Sequence, residues 1–128
     1  DMVCLPATLH HLFPFGESLS ELNRIIARGG YFYCMEPNYY HPQRYFFMSH
    51  AALYQHYRKT NDVPVHPEKL AAMLKEMNFE IVHFRFINIY FRNPSLLQRL
   101  QNFIAATLPE TRASRYWMPW FIMMAKKD

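Results

Sequence analysis

At 128 residues the chain holds one domain and not two. It is 51% hydrophobic and 19% charged, enough apolar surface to bury a core and too little charge for a disordered chain. The formal charge of +4 is spread over single or paired basic residues, which argues against a nucleic-acid partner, and the three glycines, Gly16, Gly29 and Gly30, exclude a glycine-rich phosphate loop.

No apolar run approaches the roughly 18 residues of a membrane span, and no basic-then-apolar leader opens the chain. The sequence starts Asp1-Met2-Val3-Cys4-Leu5, directly in an apolar run. That opening is expected of a domain whose first part has been removed. Met2 to Leu5 reads as a short buried strand ended by Pro6, followed by a loop with His10-His11. Ser18 and Glu21 have capping-box spacing and start a helix with Leu19, Leu22, Ile25 and Ile26 on one face. Gly29-Gly30 ends that helix. Tyr31 to Met35 is the next strand, closed by Glu36-Pro37-Asn38. Strand, helix and strand make the unit of a parallel sheet.

Gln43 to Lys59 is predicted helical, with a broad aromatic face of Phe46, Phe47, Leu53, Tyr54 and Tyr57. Pro67 opens a further helix, where Leu70, Met73, Leu74 and Met77 fall at i, i+3, i+4 and i+7, a core stripe capped by Asn78. Phe79 to Tyr90 is a long strand, with Val82, Phe84 and Phe86 on one face and His83 and Arg85 on the other. Asn93-Pro94 starts a helix with Leu96, Leu97, Leu100, Phe103, Ile104 and Leu108 inward, stopped by Pro109. Trp120 to Ala125 is the last strand, starting after Pro119, which lacks an amide donor.

The seven histidines show no i, i+4 pair and no glutamate between two of them, so no metal site is expected. No serine sits in a Gly-x-Ser-x-Gly elbow. Cys4 and Cys34 lie inside strand-like runs and are expected to be buried, reduced thiols, pointing to a reducing, cytoplasmic compartment. In an open parallel sheet, ligands bind outside the carboxyl ends of the strands. Here those ends are Leu5-Pro6-Ala7-Thr8-Leu9-His10-His11 and Glu36-Pro37-Asn38-Tyr39. Pro6 and Pro37 either merely end strands or form one wall of a cleft; composition does not decide between the two.

Asp-Met-Val-Cys-Leu-Pro-Ala-Thr-Leu-His-His-Leu (1–12), Asn-Arg-Ile-Ile-Ala-Arg-Gly-Gly (23–30) and Tyr-Phe-Tyr-Cys-Met-Glu-Pro-Asn (31–38) occur in this order. Pro64-Val-His-Pro-Glu-Lys-Leu70, Leu74-Lys-Glu-Met-Asn-Phe-Glu80 and Phe121-Ile-Met-Met-Ala-Lys126 follow. Together they resemble the second half of a class I S-adenosylmethionine-dependent methyltransferase, from the family's fourth strand onward. Ala27-Arg28 departs from the Lys-Pro usual before the glycine pair, and Asn78 stands where glycine is common.

The resemblance implies an α/β, Rossmann-like half-sheet of four strands flanked by helices, in the order first, second, fourth, third, with the last strand antiparallel. It implies that residues 1–128 form a partial domain lacking the amino-terminal, cofactor-binding half, which would be the chain's partner. Leu5, Pro6 and Ala7 would line the methionine side of S-adenosylmethionine. His10, His11, Glu36, Asn38 and Tyr39 would face a small-molecule or lipid methyl acceptor, with His11 or Glu36 as the candidate base. The isolated chain would be inactive. The alternative is a non-catalytic binding or interaction domain that keeps the fold.

Overall fold

The computed structural model describes residues 1–12, 14–50, 65–90, 92–108 and 111–128. In chain order these form β1 (Met2–Pro6), a 3₁₀ turn (Leu9–His11), α1 (Phe15–Ile25), β2 (Tyr31–Pro37), α2 (Pro42–Ser49), α3 (Pro67–Glu76), β3 (Phe79–Ile87), α4 (Leu96–Thr107), a second 3₁₀ turn (Arg112–Tyr116) and β4 (Trp120–Lys127). None of these helices is long and apolar enough to cross a membrane.

The strands form one sheet in the order β1-β2-β4-β3. β1 and β2 are parallel, joined through α1, and β4 runs antiparallel to both β2 and β3. This is the predicted order. Paired residues share a face of the sheet. The registers therefore put Val3, Leu5, Phe32, Cys34, Phe121, Met123 and Ala125 together, and α1 and α3 supply Leu19, Ile26, Leu70 and Leu74 to the same core. On the opposite face Met2 and Cys4 are exposed, and Tyr31, Tyr33, Met35, Ile122 and Met124 keep part of their surface in solvent.

Several local expectations give way to the packing. β1 is not a buried strand: its residues alternate between exposed and half-buried, because it lies at an edge of the sheet. α1 begins at Phe15, a turn before Ser18, so the Ser18–Glu21 capping box does not form. Ser18 Oγ instead donates to the Pro14 carbonyl, and Glu21 pairs with Arg24. Ile25 is exposed, and the glycine pair lies beyond the helix, with Gly29 in the left-handed turn (φ 78°) that feeds β2.

α2 starts at Pro42 and ends at Ser49, because His50 turns extended (φ −95°, ψ 112°), so no single helix runs from Gln43 to Lys59; Leu53, Tyr54 and Tyr57 lie outside the described residues. α3 starts at Pro67 as expected, and Asn78 adopts the left-handed conformation after it (φ 63°). A bulge at Val82 breaks the alternation of β3, so Ile81, Phe84 and Phe86 share the core side of the sheet; Ile81 and Phe86 pack on the core, while Phe84 and Val82 are both exposed. Ser95, not Asn93, caps α4, through a capping box with Gln98. α4 has no buried residue: Leu96 is 85% exposed, Phe103 65%, and Leu97 and Leu100 56% each. Its periodicity marks an apolar face, but that face does not pack on the sheet. Pro109 lies outside the described residues.

Lys127 is not a loose polar end. Its Nζ donates to the carbonyls of Asn23 at 2.5 Å and Ile26 at 3.0 Å, closing the carboxyl end of α1 from the last strand. Lys127→Met is expected to lower the unfolding free energy by about 1–2 kcal/mol, read from urea midpoints.

Both cysteines are free. Cys34 is buried, and burial, with Glu36 nearby, raises its thiol pKa far above the usual range. Cys4 is exposed, which corrects its expected burial, because the edge strand turns it to the open face. Iodoacetamide is therefore expected to label one thiol per native chain and two in urea. Two labels under native conditions would contradict the burial of Cys34.

Candidate functional site

The carboxyl ends of the parallel pair β1 and β2 meet at one lip of the sheet. Pro6 ends β1, and Ala7 takes a left-handed conformation (φ 51°) that an L side chain rarely adopts. The Ala7 amide donates to the Met35 carbonyl at 2.7 Å, which holds that turn against β2. The chain then folds into the 3₁₀ turn of Leu9–His11.

Glu36 anchors this turn. Its carboxylate has no exposed surface. Oε1 accepts from the Thr8 amide at 3.1 Å and the Leu9 amide at 2.7 Å. On the other oxygen, Oε2 accepts from His10 Nδ1 at 2.5 Å. A buried carboxylate is tolerated only when its lone pairs are satisfied, and here three donors do so. The sequence singled out His11 beside Glu36, but the structure brings His10 to it. The His10 ring is nearly buried, while His11 is exposed and lies against it at 3.9 Å between centroids.

Asn38 is equally enclosed, with no exposed surface. Its Nδ2 donates to the Arg115 carbonyl at 2.6 Å and the Met118 carbonyl at 2.7 Å, and its Oδ1 accepts from the Tyr40 amide at 3.0 Å. The side chain thus clamps the end of β2 to the turn before β4. Glu36 and Asn38 do not open onto a cleft; they set the shape of its wall. Tyr39 is half-buried and lies against His66 at 3.7 Å. Tyr40 donates to Glu68 Oε2 at 2.6 Å. Desolvation first, then that bond, pushes the Tyr40 phenol up to about 12.

Sequence reasoning missed the contribution of the last turn. Trp117 carries an indole Nε1 that is buried with no hydrogen-bond partner among the described residues. It lines a cleft of about 190 Å³ with His41, Pro42, Leu97, Leu100, Gln101, Ile104 and Tyr116. No local pattern links residue 41 to residue 117; the Asn38 clamp does. A second cleft, of about 540 Å³, lies at β3 and is lined by Glu68, Phe84, Arg85, Phe86, Thr111, Ser114 and Arg115. It does not include the ends of β1 and β2.

No family model matches the chain. Among curated proteins none matches either. Solved structures do. A SAM-dependent methyltransferase from Archaeoglobus fulgidus is 24% identical with a TM-score of 0.57, covering 99% of this chain and 59% of its own. One from Methanosarcina mazei is 17% identical with a TM-score of 0.57, covering 99% and 58%. A methyltransferase from Thermotoga maritima, described as a possible histamine N-methyltransferase, is 15% identical with a TM-score of 0.62, covering 100% and 56%.

The chain has the fold of part of a class I methyltransferase.

It spans between 56% and 59% of the length of these three neighbours. Within that methyltransferase fold, the Ala7 turn and the Glu36–Asn38 segment occupy the lip where an open α/β sheet receives ligands.

Proposed function

We propose that this chain is the second half of an S-adenosylmethionine-dependent methyltransferase domain that acts on a small-molecule or lipid acceptor. A first half carrying a glycine-rich loop and a ribose-binding acid completes it. The sheet order carries the reading: β4 enters reversed between β2 and β3, beside a parallel pair. The match to methyltransferases over little more than half their length supports it. So does the β1 edge, whose flanking face of Met2, Cys4, Tyr31 and Tyr33 is partly open to a further strand and helices. The two free cysteines fit a reducing, cytoplasmic setting.

Bound S-adenosylmethionine supplies an electrophilic methyl group on sulfur. Leu5, Pro6 and Ala7 suit its methionine side, since the turn is small, rigid and pinned to Met35. The Thr8 and Leu9 amides are already committed to Glu36, so this segment offers packing rather than charge recognition. Carboxylate and ribose contacts fall to the first half. Glu36 and His10 position the loop, and Asn38 positions the lip. His11 and Tyr39 keep exposed surface and meet the acceptor; of the two candidate bases, His11 is the one that can reach it. Alignment and water exclusion are the main contributions such a wall makes to a methyl displacement.

Calorimetry tests the half-site directly. Losing two charge-assisted hydrogen bonds costs roughly 3–6 kcal/mol, or two to four decades of affinity. Residues 1–128 alone are expected to show no micromolar S-adenosylmethionine binding. Micromolar affinity by this chain alone would overturn the two-halves reading.

A further inference from the structure

We infer that α4 is a surface-docking helix whose outer apolar face settles on an anionic lipid bilayer. The inference goes beyond the methyltransferase reading and does not depend on it.

α4 is amphipathic in the reverse sense to a core helix. At about 100° per residue, Gln98, Gln101, Asn102 and Ala105 fall on one side, and Leu96, Leu100, Phe103 and Thr107 on the other. The side that packs inward is the polar one: Gln98, Gln101, Asn102 and Ala105 are half-buried. It is also the side that is tied down. Gln101 Nε2 donates to Asn88 Oδ1 at 3.2 Å, and Asn88 Nδ2 donates to Asn102 Oδ1 at 2.8 Å. These bonds turn the opposite side away from the protein, so Leu96, Leu97, Leu100 and Phe103 are each more than half exposed. A contiguous exposed apolar face held in place by its polar back marks an interaction surface.

Charge selects the occupant. The sequence has no aspartate or glutamate from residue 81 to 109. Arg92, before α4, and Arg99, one turn ahead of Phe103, are both exposed. Tyr90 and Tyr116 are exposed as well, and Tyr116 lines a cleft with Leu97 and Leu100. Leucines and a phenylalanine outward, arginines at the flank and tyrosines at the rim suit an anionic bilayer. Its acyl boundary takes the apolar face, its headgroups take the guanidinium groups, and tyrosine rings sit at the headgroup level.

The other occupants fit less well. In a two-fold dimer this arginine-flanked face would meet itself, with no acid in residues 81–109 to answer the charge. The proposed first half joins at β1, whereas α4 is tied to the segment after β3, at the other edge of the β1-β2-β4-β3 sheet. One consequence alone rests on the methyltransferase reading. The ends of β2 and β3 lie level, with Pro37 and Ile87 both opposite Trp120. Docking through α4 therefore keeps the acceptor lip beside the bilayer.

The test is co-sedimentation of the 128-residue chain with vesicles of phosphatidylglycerol and phosphatidylcholine. Half of the chain is expected to bind at on the order of 1 mM lipid. Pure phosphatidylcholine should bind it at least about 10-fold more weakly, and 0.5 M salt, used as a probe at roughly that level, should remove most of the difference. Leu96→Gln and Phe103→Gln, at exposed positions, should each weaken binding about 5- to 20-fold with an unchanged melting curve. Arg99→Gln should weaken it about fivefold on the anionic vesicles and not on the neutral ones. Met2→Gln, on the open face of the sheet, should leave binding unchanged. Equal binding to neutral and anionic vesicles, or a loss with Met2→Gln as large as with Phe103→Gln, would overturn the inference. So would a chain that ignores vesicles but forms a dimer that Phe103→Gln splits. None of these readouts involves S-adenosylmethionine, so the docking surface and the methyltransferase reading fail independently.

Discussion

Glu36→Ala is expected to lower the unfolding free energy by about 3–5 kcal/mol, a large part of the roughly 5–15 kcal/mol that holds a domain together. The substitution removes a fully buried carboxylate and strands three donors: the Thr8 amide, the Leu9 amide and His10 Nδ1. Each stranded buried donor carries a desolvation penalty, and water cannot reach the site without opening the turn. Glu36→Gln keeps one acceptor oxygen but turns an NH₂ toward existing donors, so it is expected to lie between the two. Urea midpoints give the size, and hydrogen exchange gives the place: the Thr8 and Leu9 amides should lose protection before the strands do. A loss under about 1 kcal/mol, with both amides still protected, would contradict the anchor.

Asn38→Ala is expected to cost about 2–4 kcal/mol. Two carbonyls, of Arg115 and Met118, lose their donor, and the Tyr40 amide loses its acceptor, all around a side chain with no exposed surface. Asn38→Asp should be worse, because a carboxylate would face two carbonyl oxygens in a buried site. From sequence, the polar lip suggests that Asn38 touches an acceptor, and a loss of turnover is the natural expectation. The clamp moves the primary loss to stability and to the Trp117 turn. An alanine variant as stable as the parent chain would return Asn38 to the role of a direct contact.

The legible part of the fold was the part governed by local rules. Pro67 and the Leu70–Leu74 spacing marked α3, Asn78 its left-handed cap, and Pro119 the start of β4. The strand order followed from the motif order, and no local rule could have supplied it. What the sequence hid is what distant segments decide. The bulge at Val82 is set by pairing with β4; it takes Val82 out of the face that alternation gave it with Phe84 and Phe86, while those two and the opposite pair His83 and Arg85 keep their expected sides. The leucines of α4 obey helical periodicity, which says that a helix has an apolar face but not whether a sheet or a cleft meets it. At the site, Glu36 and Asn38 were correctly placed at the strand end. Their partners, 26 and 80 residues away, were invisible to spacing. The pairing of Glu36 with His10 rather than His11 is a matter of which ring the 3₁₀ turn points inward.

The central claim is that the Ala7 turn and the segment after β2 form the cofactor-facing wall of a methyltransferase half-site. Titrating S-adenosylmethionine to millimolar concentration into the isotope-labelled 128-residue chain tests it residue by residue. The account predicts weak, saturable shifts in the amides of Leu5, Ala7, Thr8 and Tyr39, with the β3 cleft of Phe84 and Phe86 unmoved. Shifts absent from the Ala7 turn at millimolar cofactor, or appearing only at the β3 cleft, would contradict it and leave a domain that keeps the fold without the chemistry.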